Sequence, residues 1–144
     1  MTRSFAWRLA GEREGSVAVE FAVLGPAFLV LLFGIFQVGI GMQNYNALRN
    51  ASADVARHAM VQYATGNKLS EAQLRSYAIS VARSSPYLLK PSQLSAEVDT
   101  PGTQRVAGAS EMTLTFNYQI ESVLSGFGLE GPYIRYTRPI FVTT

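Results

Sequence analysis

Residues Phe21 to Phe36 read FAVLGPAFLVLLFGIF, and this stretch decides how the chain folds. No charged residue occurs between Glu20 and Arg49. A helix that crosses a bilayer needs about 20 mostly apolar residues at 1.5 Å each. Residues 17–42 meet that length with some tilt. A buried helix of a soluble domain is one competing reading. A chain of 144 residues has too small a core to surround so apolar a helix on every side. A cleavable secretory signal competes better, but it needs a shorter apolar region and then small residues in an A-x-A pattern. Here the run is long and ends in GIGMQNYN, residues 39–46, and the sequence beyond it reads as more helix.

Composition agrees. Hydrophobic residues make up 48% of the chain and charged residues 15%, against about 25% charged in an ordinary soluble domain. That balance is the opposite of a disordered chain. With no cysteine, a disulfide scaffold, a thiol nucleophile and a cysteine metal site are excluded. His58 is the single histidine, so a histidine metal site or catalytic relay is not expected. The net charge of +2 is scattered along the chain, which is no footprint for nucleic acid. Arg3, Arg8 and Arg13 precede the apolar run and Arg49 and Arg57 follow it. That small bias points to a cytoplasmic N-terminus and an exported C-terminal part.

Two residues at the start of the run need explanation. Glu20 is set among Val17, Val19 and Phe21. A charge at mid-bilayer costs about 2.5–3.5 kcal/mol on insertion scales and less near the surface. The carboxylate either snorkels to the headgroups or has a function. Gly15 stands where polar sequence gives way to apolar sequence. It is either an ordinary joint or a place where a peptidase meets an extended, uncrowded backbone, which glycine supplies.

Together these residues resemble the class III signal of type IV prepilin-like proteins: a short basic leader ending in Gly, an immediate apolar helix, and Glu five residues beyond the Gly. Within that class the segment resembles TadE-like pseudopilins of the tight-adherence (Flp) pilus system. The resemblance rests on Arg13, Gly15, Ser16-Val17-Ala18-Val19, Glu20-Phe21-Ala22, Val23-Leu24-Gly25 and Pro26. A weaker second element is the alanine-rich stretch Ala47, Ala51, Ala53 and Ala56-Arg57. The resemblance covers about residues 8–63 and is shared with the sibling TadF proteins. It implies cleavage between Gly15 and Ser16 by a prepilin peptidase, with Glu20 and Phe21 serving subunit pairing and recognition. It also implies partners among TadF-like pseudopilins, the Flp major pilin and the inner-membrane pilus assembly platform. Independently of the family, Pro26 removes one helical N–H and clashes with the carbonyl of Ala22, so a kink is expected at Gly25-Pro26.

The exported part reads without family help. Leu48, Ala51, Val55, Ala59 and Gln62 recur at helical spacing and form a narrow, alanine-rich face. Gly66-Asn67 ends that helix. A second helix opens at Ser70, with Gln73 completing a capping box and Leu69 and Leu74 placed as a hydrophobic staple. Its buried face is Leu74, Tyr77, Ala78 and Val81, and Ser84-Ser85-Pro86 stops it. From residue 94 the period becomes two. Leu94, Ala96 and Val98 alternate with polar residues, and Pro101-Gly102 marks a turn. Met112, Leu114, Phe116, Tyr118 and Ile120 share one face of the strongest strand, 111–120. Residues 133–142 make a last strand, with Pro139 confining it to a sheet edge. The segment 121–132 is a loop folded over the sheet edge or, because Val123, Leu124, Phe127 and Leu129 are costly to expose, a contact patch for a neighbour or the membrane surface.

The expected fold class is therefore α+β: a long N-terminal transmembrane helix extending into a stalk, a second helix, and a small antiparallel sheet of about three strands. The expected parts are a cytoplasmic leader at 1–15, a transmembrane helix at 16–42 and an exported domain at 43–144. Asp54 and His58 are four apart and could pair, but such a helical pair is usually a surface contact. No nucleophile elbow, phosphate loop, dinucleotide fingerprint or metal spacing occurs, so neither enzyme activity nor any cofactor, metal or small-molecule substrate is expected. The expected function is a structural or assembly component of a Tad (Flp) pilus in the bacterial inner membrane, with its C-terminal domain periplasmic. The alternative is an uncleaved, membrane-anchored periplasmic binding or scaffold protein.

Overall fold

A computed structural model describes residues 13–143, with side chains from residue 17 onward. Residues 1–12, most of the expected leader, lie outside the described residues. Helix α1 runs Arg13–Ala64, helix α2 Glu71–Arg83, and strands β1, β2 and β3 run Leu94–Asp99, Ala109–Gln119 and Tyr133–Thr143. The chain divides into two compact units, one ending at Gln37 and the other starting at Val38.

The first unit is the apolar part of α1. Its large side chains are bare: Phe21 is 77% exposed, Val30 72% and Ile35 72%. None of the described residues covers them. α1 is the one helix among the described residues that is long and apolar enough to cross a membrane, and none of its most apolar stretch is buried.

In the second unit the same helix changes what it does with its surface. Leu48, Ala51, Val55 and Ala59 are fully buried, as their spacing required, and Ser52 and Ala56 widen the buried stripe. The helix ends as Gly66 enters the left-handed region at φ 82°, where glycine carries no Cβ penalty. The Asn67 N–H reaches the Gln62 carbonyl at 2.9 Å and the Gly66 N–H reaches Tyr63 at 3.0 Å. This is the Schellman closure of a helix C-terminus.

α2 opens as expected. The Gln73 N–H donates to Ser70 Oγ at 3.3 Å and the Ser70 N–H donates to Gln73 Oε1 at 2.9 Å. Leu74, Ala78 and Ala82 are buried, while Tyr77 and Val81 are half-buried against the same core. Ala82 thus takes a place in the buried face that the sequence pattern assigned to its larger neighbours, because a methyl lets α2 approach β1 closely.

The sheet is an antiparallel meander in the order β1-β2-β3. β2 is central, and Met112, Leu114, Phe116, Tyr118 and Ile120 are all buried on one face. Pro139 lies opposite Thr113 on the edge strand β3, where its missing N–H costs no ladder bond on the outer side. The inner face of the sheet and the alanine stripe of α1 share one core with α2. Polar contacts cross it, one of them at Ser52. Arg138 Nε donates to Ser52 Oγ at 3.0 Å, and Ser52 Oγ donates to the Arg49 carbonyl at 2.7 Å.

Phe116 is the largest fully buried side chain. Phe116→Ala is expected to cost about 3–5 kcal/mol, a large part of the roughly 5–15 kcal/mol available to a small domain. Chemical denaturation of the detergent-solubilised full chain should show a lower midpoint. An unchanged midpoint would contradict the core assignment.

Candidate functional site

The sequence places its functional candidates at the start of α1. The backbone is helical from Arg13, so Gly15 and Ser16 lie within the first turns of α1. Glu20 is exposed, among exposed apolar neighbours. Phe21 folds along the helix toward Gly25, and a Cβ at Gly25 would meet the Phe21 ring at 3.8 Å. One turn further, Phe28 and Leu29 join Phe21, Ala22, Gly25 and Pro26 around a shallow apolar notch. The helix assignment continues through Pro26. The notch follows from composition: Gly25 has no side chain, and the rings on either side stand above it. Phe28 and Leu29 were not singled out from sequence, and their spacing of three and four from Gly25 is the signal that would have found them.

Several titratable clusters lie in the second unit, and each is tied to structure. Asp54 and His58 do not pair with each other. Asp54 accepts a hydrogen bond from the Tyr87 hydroxyl at 2.6 Å and lies 3.9 Å from Arg57. His58 stacks on Tyr77, with ring centroids 3.8 Å apart. The bond to Asp54 raises the Tyr87 phenol above its ordinary pKa, with burial adding to it. Lys90 and Glu121 form an ion pair with both side chains more than half exposed, where such pairs contribute little.

Glu111 is different. It stands on the polar face of β2, yet its side chain is 1% exposed. Arg105 Nε reaches both carboxylate oxygens, at 2.8 and 2.9 Å, and its guanidinium lies over the Phe141 ring. The hydrogen bond from Arg105 lowers the Glu111 pKa, against an opposing effect of burial. Alternation marked this face as polar but gave no sign that one member would be sealed in. Among the described residues, no group of three or more His, Asp or Glu is placed to hold a metal ion, and every buried side-chain nitrogen and oxygen has a partner.

With this geometry in hand, the comparisons bear on the start of α1 rather than on the sheet. Residues 15–57 match the family of TadE-like proteins. The match opens on Gly15 and closes on Arg57, so it takes in Glu20, Gly25-Pro26 and most of the alanine stripe. It suggests a component associated with the Tad pilus, anchored by its apolar N-terminal helix. No curated protein and no solved structure matches the chain.

A carboxyl whose pKa is lowered on folding stabilises the fold above its ordinary value and loses that contribution as the pH falls through the folded value. For Glu111 the ordinary value is 4.5. The full chain in detergent should therefore lose stability as the pH drops below that point. Glu111→Gln should be less stable at neutral pH and should show a flatter acid limb. Parallel acid limbs for the two proteins, read as denaturation midpoint against pH, would remove Glu111 from the account.

Proposed function

We propose that this chain is a pseudopilin-like component of a Tad (Flp) pilus, processed between Gly15 and Ser16 by a prepilin peptidase and acting in pilus biogenesis and surface adherence. The observation that carries this reading is the TadE-like match, which begins at Gly15 and runs through Glu20 into the exported part of α1. The bare apolar surface of α1 supports the role of anchor, and the same helix supplies the core of the exported unit. On this reading the protein is a structural part and not an enzyme. Its N-terminus is cytoplasmic, its C-terminal domain is periplasmic, and its partners are other pilins or pseudopilins and the membrane assembly platform.

Cleavage fits the chemistry of the segment. The apolar helix remains attached to the exported domain after the leader is removed, unlike an ordinary signal peptide. Cleavage also creates an amino group at Ser16, separated from Glu20 by about 6 Å of helical rise. In a poor dielectric the amine of one subunit and Glu20 of a neighbour neutralise each other. A pair of this kind adds little net stability, yet leaving one partner alone costs about 3–5 kcal/mol. That asymmetry would fix axial register between subunits and reject misplaced ones.

Mass spectrometry of the N-terminus, from membranes with and without a prepilin peptidase, tests the reading. The mature chain is expected to begin at Ser16 when the peptidase is present, and a bulky residue at Gly15 should preserve the full-length form. A mature protein that still begins near Met1 would leave the uncleaved scaffold as the better description.

Glu20→Ala and Glu20→Gln should both insert and both be cleaved, yet fail to co-purify with pilin-like partners or to support piliation. Normal association and normal numbers of surface pili in both variants would reduce Glu20 to a snorkelling carboxylate.

A further inference from the structure

The segment 121–132 closes into a loop with a narrow neck. The Ile120 N–H donates to the Pro132 carbonyl at 2.9 Å. At Gly131 the chain passes so close that a Cβ would lie 1.8 Å from the Ile120 carbonyl oxygen, so no other residue fits the neck. Such closed loops with packed ends are frequently functional. A short 3-10 turn, Ser125–Phe127, carries the tip. Phe127 is 84% exposed, Leu129 56%, and Tyr133, just past the neck, 72%. Phe127 and Leu129 are thus not folded over the sheet edge, whereas Leu124 is half-buried. The Glu130 carboxylate, the acid nearest the tip, leans back to accept from Gln119 Nε2 at 3.4 Å.

The position of this loop says what it faces. Ile120, at its base, lies against α1, where a Cβ on Gly41 would come within 3.3 Å of Ile120 Cδ1. Ile40 of α1 lines a cleft with Glu121, Ser122, Val123 and Ser125 of the loop. Counting about 20 helical residues, the thickness of the hydrocarbon layer, from the residue after Glu20 ends at Ile40. The first residues of the loop therefore lie beside the point where α1 completes that length, and the exposed Phe127 follows two residues beyond Ser125. Tyrosine is enriched at that depth because its ring is apolar and its hydroxyl is wet.

We propose that loop 121–132 is a second membrane contact, with Phe127 and Leu129 inserted into the headgroup and acyl boundary of the lipid surface that α1 crosses. This rests on the reading of α1 as a membrane-spanning helix. Insertion to the usual interfacial depth of about 5–10 Å would give the exported domain a fixed tilt and rotation on the bilayer, which a single helix leaves free to swivel. The occupant is lipid and not a second copy of the chain, because the loop base packs against Ile40 and Gly41, the residues at which a bilayer length of α1 counted from Glu20 comes to its end.

The chain contains no cysteine, so single labels can be placed without background. Gly126→Cys puts a fluorophore beside Phe127, where an added side chain meets nothing within 4 Å. Thr103→Cys marks the opposite end of β2, roughly 33 Å away at about 3.3 Å per residue, and Leu31→Cys marks the interior of the apolar helix. The full chain is reconstituted at low protein-to-lipid ratio in vesicles of phosphatidylethanolamine and phosphatidylglycerol. Quenching is measured with nitroxides on the headgroup and on the acyl chain. The label at 126 is expected to be quenched several-fold more by the headgroup nitroxide than the label at 103. That excess should be lost in Phe127→Ser/Leu129→Ser. Equal quenching at 126 and 103, with the label at 31 quenched by the acyl-chain nitroxide, would overturn the loop contact and leave the spanning helix intact. An unquenched label at 31 would overturn both. Shielding at 126 that appears only at high protein density would assign the tip to a second copy and also overturn the proposal.

Discussion

The fold of the second unit depends on one core that small side chains of α1 share with large side chains of the sheet. Between Leu48 and Ala59 the helix offers mostly methyl-sized side chains, and the inner face of β2 offers large ones. A small surface facing a large one lets Phe116 and Leu114 fill the space without strain, as close packing requires. α2 repeats the device with Ala78 and Ala82 against β1. The exception is Ser52, whose hydroxyl takes the Arg138 guanidinium. Arg138 lies on the inner face of β3, opposite Leu114, and an unanswered cation there would be costly. One serine in an alanine stripe makes that position tolerable.

The same helix carries two surfaces along its length, and the difference is chemical. Before Gln37 the apolar side chains are bare and large, which suits lipid. After Leu48 the buried ones are small and confined to one stripe, which suits a protein partner. The two ends of β2 differ in a similar way. Near Ala109 the preceding loop is held by an ion pair, in which Arg105 covers the buried Glu111. Beyond Gln119 the following loop is held by a backbone hydrogen bond and by the contact of Gly131 with Ile120. The clasp at one end is charged and the neck at the other is uncharged.

The start of α1 was the most legible part of the chain. Gly15, Glu20 and Pro26 stand at informative distances from one another, and the TadE-like match begins on the first of them. What the sequence could not supply was the conformation at Gly15, since glycine permits an extended backbone without requiring one, and the helix runs through it.

Local rules settled from sequence alone whatever depends on neighbours a few residues apart. These include the apolar length of α1, the Gly66 closure, the Ser70-Gln73 capping box and the alternation that put Phe116 inside. Each is fixed by backbone periodicity or by a hydrogen bond within one turn, so the residues carry it wherever they are placed. Tertiary structure decided what depends on groups brought together from afar. Asp54 had a histidine four residues away and took a tyrosine 33 residues away instead. Glu111 looked like any polar-face residue until the neighbouring loop laid Arg105 over it. Phe127 could have covered the sheet edge or left it, and the neck at Ile120 and Pro132 turned it outward. Burial and charge pairing are properties of the assembled surface, and no periodicity in the chain encodes which distant side chain will arrive.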